Sequence, residues 1–197
     1  MKSYNPSWKL EDDVNDYIKG QLECLGLKKN ADYNVESSMS DYMKEALRGS
    51  AKTQNKSNFG KPDFHIEIYK NKDKKPIPII IENKLNLKKL IAETKDGIKF
   101  DDKSISGFAV NGALYYARNM IASNKYHEVI AIGCAGDNEN NTQIKVYYVF
   151  GTSDKAFKEL TTTTLNFLEN QKSFDDFYQN AVLTEEDKHR ILINSQS

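Results

Sequence analysis

The sequence lacks the features that would take it outside the ordinary globular proteins. Its 197 residues contain no apolar stretch long enough to cross a bilayer, which excludes a helical membrane protein. Its 28 basic and 28 acidic residues cancel, so binding to nucleic acid through bulk positive charge is also excluded. No basic-then-apolar segment opens the chain, and we therefore expect a cytoplasmic protein.

Cysteine is scarce as well. Cys24 and Cys134 lie far apart in the chain, and two isolated cysteines do not make a zinc site. We expect both to be buried free thiols, with a disulfide or a catalytic cysteine as the alternatives. Hydrophobic residues make up 39% of the chain, which is enough to build one packed core.

The zero net charge hides an uneven distribution. The segment from Lys44 to Lys89 carries twelve basic and five acidic side chains, a net charge of +7, so the rest of the chain carries −7. This asymmetry points to a polyanionic partner, although a solvated lysine-rich surface explains it equally well. The chemistry of the residues inside the segment must decide between the two.

Hydrophobic periodicity predicts helices and strands in mixed order. The predicted helices are 10–25, 40–48 and 108–121, and the predicted strands are 63–69, 77–84, 129–134 and 143–150. The polar stretch 50–60 is a loop or a short edge strand, and 136–141 is a loop. One α/β domain with a mixed central sheet flanked by helices is the economical fold.

The carboxyl-terminal part of the chain reads differently. Residues 154–194 look helical in pieces, and Thr184 and Asp187 resemble a capping box. We expect the α/β domain to occupy residues 1–150. Residues 151–197 would then form a helical extension, or the start of a connector to a further domain.

One predicted hairpin carries the residues that matter for chemistry. The segment Gly-Lys-Pro-Asp at 60–63 opens its first strand, and Glu-Asn-Lys at 82–84 ends its second after three isoleucines. Side chains alternate along a strand, so Glu82 and Lys84 share a face. Antiparallel neighbours meet start to end, which brings Asp63 beside them. Three ionisable groups therefore converge at one end of the sheet, where charge is costly unless it is paired or bound to metal.

The pairing of Asp63 with Glu82 indicates a metal site. Two adjacent carboxylates repel each other unless a cation binds both, and such oxygen ligands suit Mg²⁺. A Mg²⁺ held there would polarise a scissile phosphate and lower the pKa of a bound water, with Lys84 orienting that water. This would be metal-assisted phosphodiester hydrolysis. On spacing alone, a plain salt bridge at the end of a strand is the simpler alternative.

The same hairpin resembles the signature of the PD-(D/E)xK nuclease superfamily. Pro62-Asp63, an interval of eighteen residues and Glu82-Asn83-Lys84 match its pattern. The sequence is more closely similar to the amino-terminal endonuclease domain of type IIG restriction-modification enzymes and to the nuclease domain of type I restriction subunits. Three stretches carry this similarity: 46–52 (ALRGSAK), 60–64 (GKPDF) and 108–117 (FAVNGALYYA). The resemblance covers roughly residues 10–150 and implies a restriction-endonuclease-like core that cleaves double-stranded DNA.

The resemblance also implies roles for individual residues. Asp63 and Glu82 would bind the metal, the backbone carbonyl of Asn83 would add a ligand, and Lys84 would be the catalytic lysine. Mg²⁺ is the implied cofactor, and Mn²⁺ is expected to substitute for it.

Members of the superfamily often place a further acid on the first helix. Glu11 is the candidate here, with Glu36 and Glu45 as rivals. Type I nuclease domains carry a Gln-x-x-x-Tyr element on the later helix, and Asn111 with Tyr115 would be its counterpart and contact DNA. A buried packing role is the alternative for Tyr115 or Tyr116.

Three lysines precede the motif and are candidates for DNA contacts. They are Lys52, Lys56 and Lys61, which would bind phosphates, although simple solvent exposure accounts for them equally well.

The wider resemblance implies partner domains. A complete type IIG enzyme also carries methyltransferase and target-recognition domains, and the sequence contains no Asn-Pro-Pro-Tyr motif. We therefore expect the cleavage module of a longer enzyme. A standalone repair or junction-resolving nuclease, and a catalytically inactive nucleic-acid-binding module on the same fold, are the alternatives.

Overall fold

The computed structural model describes residues 6–52 and 59–183. Its α-helices are α1 (Glu11–Cys24), α2 (Asp41–Ala46), α3 (Asp102–Gly107), α4 (Ala109–Ala122) and α5 (Gln171–Phe177). Its strands are β1 (Asn34–Val35), β2 (Phe64–Ile66), β3 (Ile79–Leu85), β4 (Glu93–Thr94), β5 (Gly97–Ile98), β6 (Val129–Asn138), β7 (Asn141–Val149) and β8 (Phe157–Glu159). None of these helices has the length and apolar character that crossing a membrane would require.

Six of the strands form one mixed sheet in the order β1-β2-β3-β6-β7-β8. β3 and β6 run parallel, whereas the other neighbouring strands of this sheet are antiparallel. A parallel pair needs a long crossover, and α3 and α4 lie within it. The predicted α/β class and mixed sheet flanked by helices are confirmed. The architecture is consistent with a restriction-endonuclease-like core.

Helices cover both faces of the sheet. α1 and α5 pack on one face, and α2 and α4 pack on the other. In β3, Ile79 and Ile81 belong to the first core and Ile80 to the second. Because β3 is covered on both sides, its apolar residues form a continuous run instead of alternating with polar ones.

The predicted hairpin forms, but its first strand is short. β2 spans Phe64–Ile66 instead of 63–69, and Ile66 is its last residue paired with β3. Beyond Ile66, the Ile77 amide donates to the Tyr69 carbonyl at 3.0 Å, which is one residue out of the β2–β3 register. The extra residue in the first strand forms a bulge, and the regular ladder stops there.

Two further predictions about the second half of the sheet are wrong. The expected loop at 136–141 is absent because β6 continues to Asn138 and returns as β7 from Asn141, with a bulge after Gly136. Phe157–Glu159 is an edge strand and not a helix, since it pairs with β7. The Phe157 ring packs edge-on against Tyr147, a tertiary contact that local sequence does not reveal. The predicted capping box at Thr184 and Asp187 lies outside the described residues.

The two cysteines differ in environment. Both are free, and Cys134 is buried as predicted, but the expectation of a buried Cys24 is wrong because it is exposed. The buried face of α1 consists of Val14, Ile18 and Leu22. Cys24 is the last residue of α1 and lies off that four-residue repeat.

Helix α4 makes its closest approach to the sheet at Gly133. A Cβ atom at this position would lie 2.7 Å from both Val110 Cγ2 and the Val110 backbone nitrogen. Gly133 is also the register partner of Glu82 in the parallel β3–β6 ladder. The absence of a side chain at Gly133 thus sets how closely α4 lies against β6, directly beside Glu82 on β3.

We expect Gly133→Ala to push α4 off the sheet. The change should lower the free energy of unfolding by about 1–3 kcal/mol, the usual cost of overpacking a core. Gly20→Ala is a matched control, because nothing lies within 4 Å of a Cβ at that position in α1 and alanine gains up to about 1 kcal/mol over glycine in a helix. Urea unfolding of both variants measures the difference; equal stabilities would contradict the close approach.

Candidate active site

The β2–β3 register brings Asp63 and Glu82 together. Phe64 pairs with Ile81, which places the preceding Asp63 across from Glu82. The Asp63 amide donates to Glu82 Oε1 at 3.0 Å, and the Asn83 amide donates to Asp63 Oδ2 at 2.8 Å. Each carboxylate therefore accepts a hydrogen bond from the other strand's backbone, and the two acids hold the end of the hairpin together.

The two acids lie in a setting that disfavours negative charge. Glu82 is 4% exposed. Burial, followed by the charge of Glu82, raises the pKa of Asp63 well above its ordinary value, against the lowering effect of the Asn83 amide. The pair therefore favours a proton or a cation between its carboxylates.

Lys84 and Glu11 meet at the mouth of the site. Lys84 Nζ lies 3.4 Å from Glu11 Oε2, in the first turn of α1. One turn further along α1, Asn15 Oδ1 accepts a hydrogen bond of 2.8 Å from Asn83 Nδ2. The side chain of Asn83 thus fastens α1 to β3 and holds Glu11 next to Lys84.

The rival acids occupy different places. Glu36 lines the same cleft as Glu11. Glu45 instead pairs with Arg48, three residues further along the chain, and both side chains are exposed. Of the three candidates, Glu11 is the acid that contacts Lys84.

The candidate site is a cleft of about 250 Å³ that is lined by Asp63, Glu82, Lys84 and Glu11. Its charged lining consists of Glu11, Glu36, Lys52, Lys61, Asp63, Glu82 and Lys84. Within the described residues, no group of three or more His, Cys, Asp or Glu side chains is arranged to hold a metal ion. A metal here would therefore depend on two carboxylates and on backbone or water oxygens.

The backbone of Asn83 offers one such oxygen. In a paired strand, the N–H and C=O of one residue face the same neighbour. The Asn83 N–H faces Asp63, so its carbonyl faces that side too, beyond the last β2–β3 pair at Phe64 and Ile81. The donor set of Asp63, Glu82 and the Asn83 carbonyl consists of hard oxygens, which fit Mg²⁺.

Lys52 lies inside the site, although the sequence suggested a DNA contact. Its Nζ is 2.5 Å from Glu82 Oε2 and 4.5 Å from the centroid of the Tyr116 ring. Its side chain is 11% exposed. Lys61 also lines the cleft, and its Nζ lies 5.6 Å from the Phe59 ring centroid. Lys56 lies outside the described residues.

Asn111 has a structural role in place of the predicted DNA contact. It is fully buried. Its Nδ2 donates to the carbonyls of Ala92 and Lys99 at 2.8 and 2.7 Å, and its Oδ1 accepts from the Ala92 amide at 2.9 Å. The side chain fixes the loop that contains β4 and β5, and its predicted role in DNA binding is withdrawn.

Tyr116, not Tyr115, borders the cleft. Tyr116 is 4% exposed, and its hydroxyl accepts a long hydrogen bond of 3.4 Å from the Lys61 amide. Burial, then the charge of Glu82, raises its pKa well above the ordinary value, so it remains a neutral phenol. Gly112 and Tyr116 lie one turn apart on α4 and both approach Lys52. The sequence does not show which of the neighbouring pairs, Asn111 and Tyr115 or Gly112 and Tyr116, borders the cleft, because most of α4 is buried.

Gly60 allows Tyr116 to reach the cleft. A Cβ atom at Gly60 would lie 2.4 Å from Tyr116 Cε1 and 2.6 Å from Ser50 Oγ, both of them in buried residues. The glycine before Pro62-Asp63 is therefore required by packing.

The raised pKa of Asp63 predicts a stability that depends on pH. The folded protein binds the proton on the Asp63 carboxyl group more tightly than the unfolded chain does. The stability that this proton contributes is therefore present at low pH and is lost as pH rises from about 3.8 through the raised pKa. Asp63→Asn removes that loss and keeps an acceptor for the Asn83 amide. We expect metal-free Asp63→Asn to melt several degrees above the wild type near pH 7, with the gain shrinking toward pH 4.

Thermal unfolding in a chelating buffer at several pH values checks this expectation. Asp176→Asn is the control, since Asp176 is an exposed acid on α5 and its loss should change the melting temperature little at any pH. A lower melting temperature for Asp63→Asn near neutral pH would contradict the electrostatic account.

Comparison with known proteins gives one informative relative. The chain is 37% identical over 170 residues to the type II restriction enzyme and methyltransferase RM.BcgI of Heyndrickxia coagulans. The match covers 85% of this chain and 24% of the relative, so the chain spans about a quarter of that protein's length. The sequence matches no protein-family model, and no solved structure matches it. The chain is thus similar to one part of a restriction enzyme, which agrees with the predicted resemblance to restriction-modification enzymes.

Proposed function

We propose that this chain is the metal-dependent endonuclease module of a restriction-modification enzyme and hydrolyses phosphodiester bonds of double-stranded DNA. The observation that carries the proposal is the convergence of Asp63, Glu82 and Lys84 in one cleft, with both acids fixed by backbone amides. The similarity to a type II restriction enzyme and methyltransferase supports it. A simple salt bridge at the end of a strand does not explain two adjacent carboxylates in a poorly solvated site.

Asp63, Glu82 and the Asn83 carbonyl would hold the metal, for which we propose Mg²⁺ with Mn²⁺ as a substitute. When bound, it would supply Lewis-acid activation of the scissile phosphate and of a water molecule. The backbone amides that bind Asp63 and Glu82 fix the two carboxylates in advance. This preorganisation lowers the cost of arranging them around a cation.

Lys84 would act directly on the reacting groups. Its ammonium is in the cleft and 3.4 Å from Glu11, so it has donors left for a water or a phosphate oxygen. Glu11 orients this ammonium from α1. We assign Lys84 to holding the attacking water or stabilising the charge that develops on the phosphate, and Glu11 to positioning Lys84.

The targeting of cleavage would come from other domains. The relative combines restriction and methyltransferase activities in its name, and this chain corresponds to about a quarter of it. We propose that methyltransferase and target-recognition domains lie on the same full-length chain. The basic segment 44–89, with its net charge of +7, would supply nonspecific attraction to the phosphate backbone.

The proposal predicts Mg²⁺- or Mn²⁺-dependent nicking of supercoiled plasmid. Asp63→Asn, Glu82→Gln and Lys84→Met should each lower the rate at least about 100-fold, the scale of removing one group that acts in the transition state. Asp176→Asn, Glu93→Gln and Lys88→Met make the same chemical changes at exposed positions and should keep the rate within about twofold. Circular dichroism verifies that each variant is folded.

A folded Lys84→Met variant that cleaves at the wild-type rate would contradict the assignment. Salt-sensitive DNA binding without cleavage or metal dependence would favour the inactive binding module. A homodimer that prefers branched DNA would favour the junction-resolving nuclease.

A further inference from the structure

Lys52 occupies a place that the proposed metal would need. Its Nζ lies 2.5 Å from Glu82 Oε2, while Glu82 Oε1 accepts from the Asp63 amide at 3.0 Å. Both oxygens of Glu82 therefore have a donor already. Mg²⁺ binds carboxylate oxygens at about 2.0–2.1 Å, so an ammonium bound to Oε2 and a cation bound to the same carboxylate compete directly.

The surroundings of Lys52 hold its ammonium against Glu82. The side chain is 11% exposed, and a Cβ on Gly112 would come within 2.3 Å of its Nζ. The Tyr116 ring lies 4.5 Å away on another side and attracts the cation through its π face. A lysine ammonium is poorly placed in such a setting unless it neutralises a buried acid.

The charges of the group show what would change on metal binding. Asp63 and Glu82 together can carry two negative charges, and Lys52 supplies one positive charge. A divalent cation between the carboxylates balances them completely and repels the ammonium that is already there. Lysine has a flexible four-carbon stem, and the open cleft that Lys52 lines gives its ammonium room to move.

We propose, on the basis of the metal-dependent function proposed above, that Lys52 is the resident counter-cation of the Asp63/Glu82 pair and that a divalent metal ion displaces it from Glu82. Lys52 is then a positioning residue. Without metal it keeps Glu82 folded into the site, and with metal its ammonium turns into the cleft toward the DNA phosphates. Metal binding and exposure of this positive charge are thereby linked, and the link is reciprocal.

Mn²⁺ binding to the metal-free full chain, without DNA, tests the displacement. Lys52→Met removes the competitor, so its affinity for Mn²⁺ should rise about tenfold over the wild type, within the range usual for coupled sites. Lys61→Met removes a positive charge from the same cleft without a contact to Glu82 and should change the affinity by no more than about twofold. Titration followed by the electron paramagnetic resonance signal of free Mn²⁺ gives all three constants.

A second variant moves the ammonium without removing it. Gly112→Ala places a methyl group 2.3 Å from the present position of Lys52 Nζ and 3.0 Å from the Ile105 carbonyl oxygen. It should push the flexible lysine off Glu82 and also tighten Mn²⁺ binding. This variant keeps the proposal testable if Lys52→Met does not fold.

Thermal unfolding in chelator gives a readout that needs no metal. Lys52→Met should lower the melting temperature in chelator, because Glu82 loses its partner, and saturating Mn²⁺ should raise it more in this variant than in the wild type. In the Glu82→Gln background, Lys52→Met should have a much smaller effect in chelator, as expected of a coupled pair.

The outcomes separate the two proposals. If the wild type binds Mn²⁺ and neither Lys52→Met nor Gly112→Ala binds it more tightly, the displacement is wrong and the metal-dependent function stands. If neither the wild type nor any variant binds Mn²⁺ while all are folded, both proposals are wrong.

Discussion

The two hydrogen bonds that hold the Asp63 and Glu82 carboxylates to backbone amides, those of Asn83 and Asp63, are the constraint on which the rest of the site depends. Each carboxylate accepts from a backbone amide across the β2–β3 boundary, which fixes two negative charges where water is scarce. Such an arrangement is unfavourable by itself. The neighbouring features reduce that cost: Lys52 on Glu82, Lys84 with Glu11 nearby, and oxygens suited to a divalent cation. The chemistry of the cleft thus follows from one electrostatic problem.

Close packing makes that solution possible. Gly133 lets α4 lie against the strand next to Glu82, Gly112 leaves room for the Lys52 ammonium, and Gly60 leaves room for the Tyr116 ring. The three glycines come from a strand, a helix and the approach to the hairpin. Each lacks a side chain where another element must come close. The geometry around Glu82 therefore depends on the absence of side chains at these three glycines as much as on the charged groups.

The sequence was informative where periodicity and pairing determine position. Strand alternation and antiparallel pairing were enough to bring Asp63, Glu82 and Lys84 together, and helical spacing gave α1 and α4. The contact between Lys52 and Glu82 is not predictable from local pattern, because the two residues are thirty positions apart in the chain. The motif favours Asn111 and Tyr115, but on a largely buried helix periodicity does not show which face borders the cleft. β8 is not recognisable from its own residues, because an edge strand of three residues depends on its partner strand.

The unequal pairing of β3 has a consequence for local stability. On one side, β3 pairs with β6 over seven residues; on the other, it pairs in register with β2 over three, after which the register shifts by one residue. The elements that open first are those with the fewest stabilising contacts. We therefore expect β2, which follows Asp63, to separate from β3 before β3 separates from β6. The weaker boundary of β3 thus passes through the cleft, with one of the two carboxylates on each side of it.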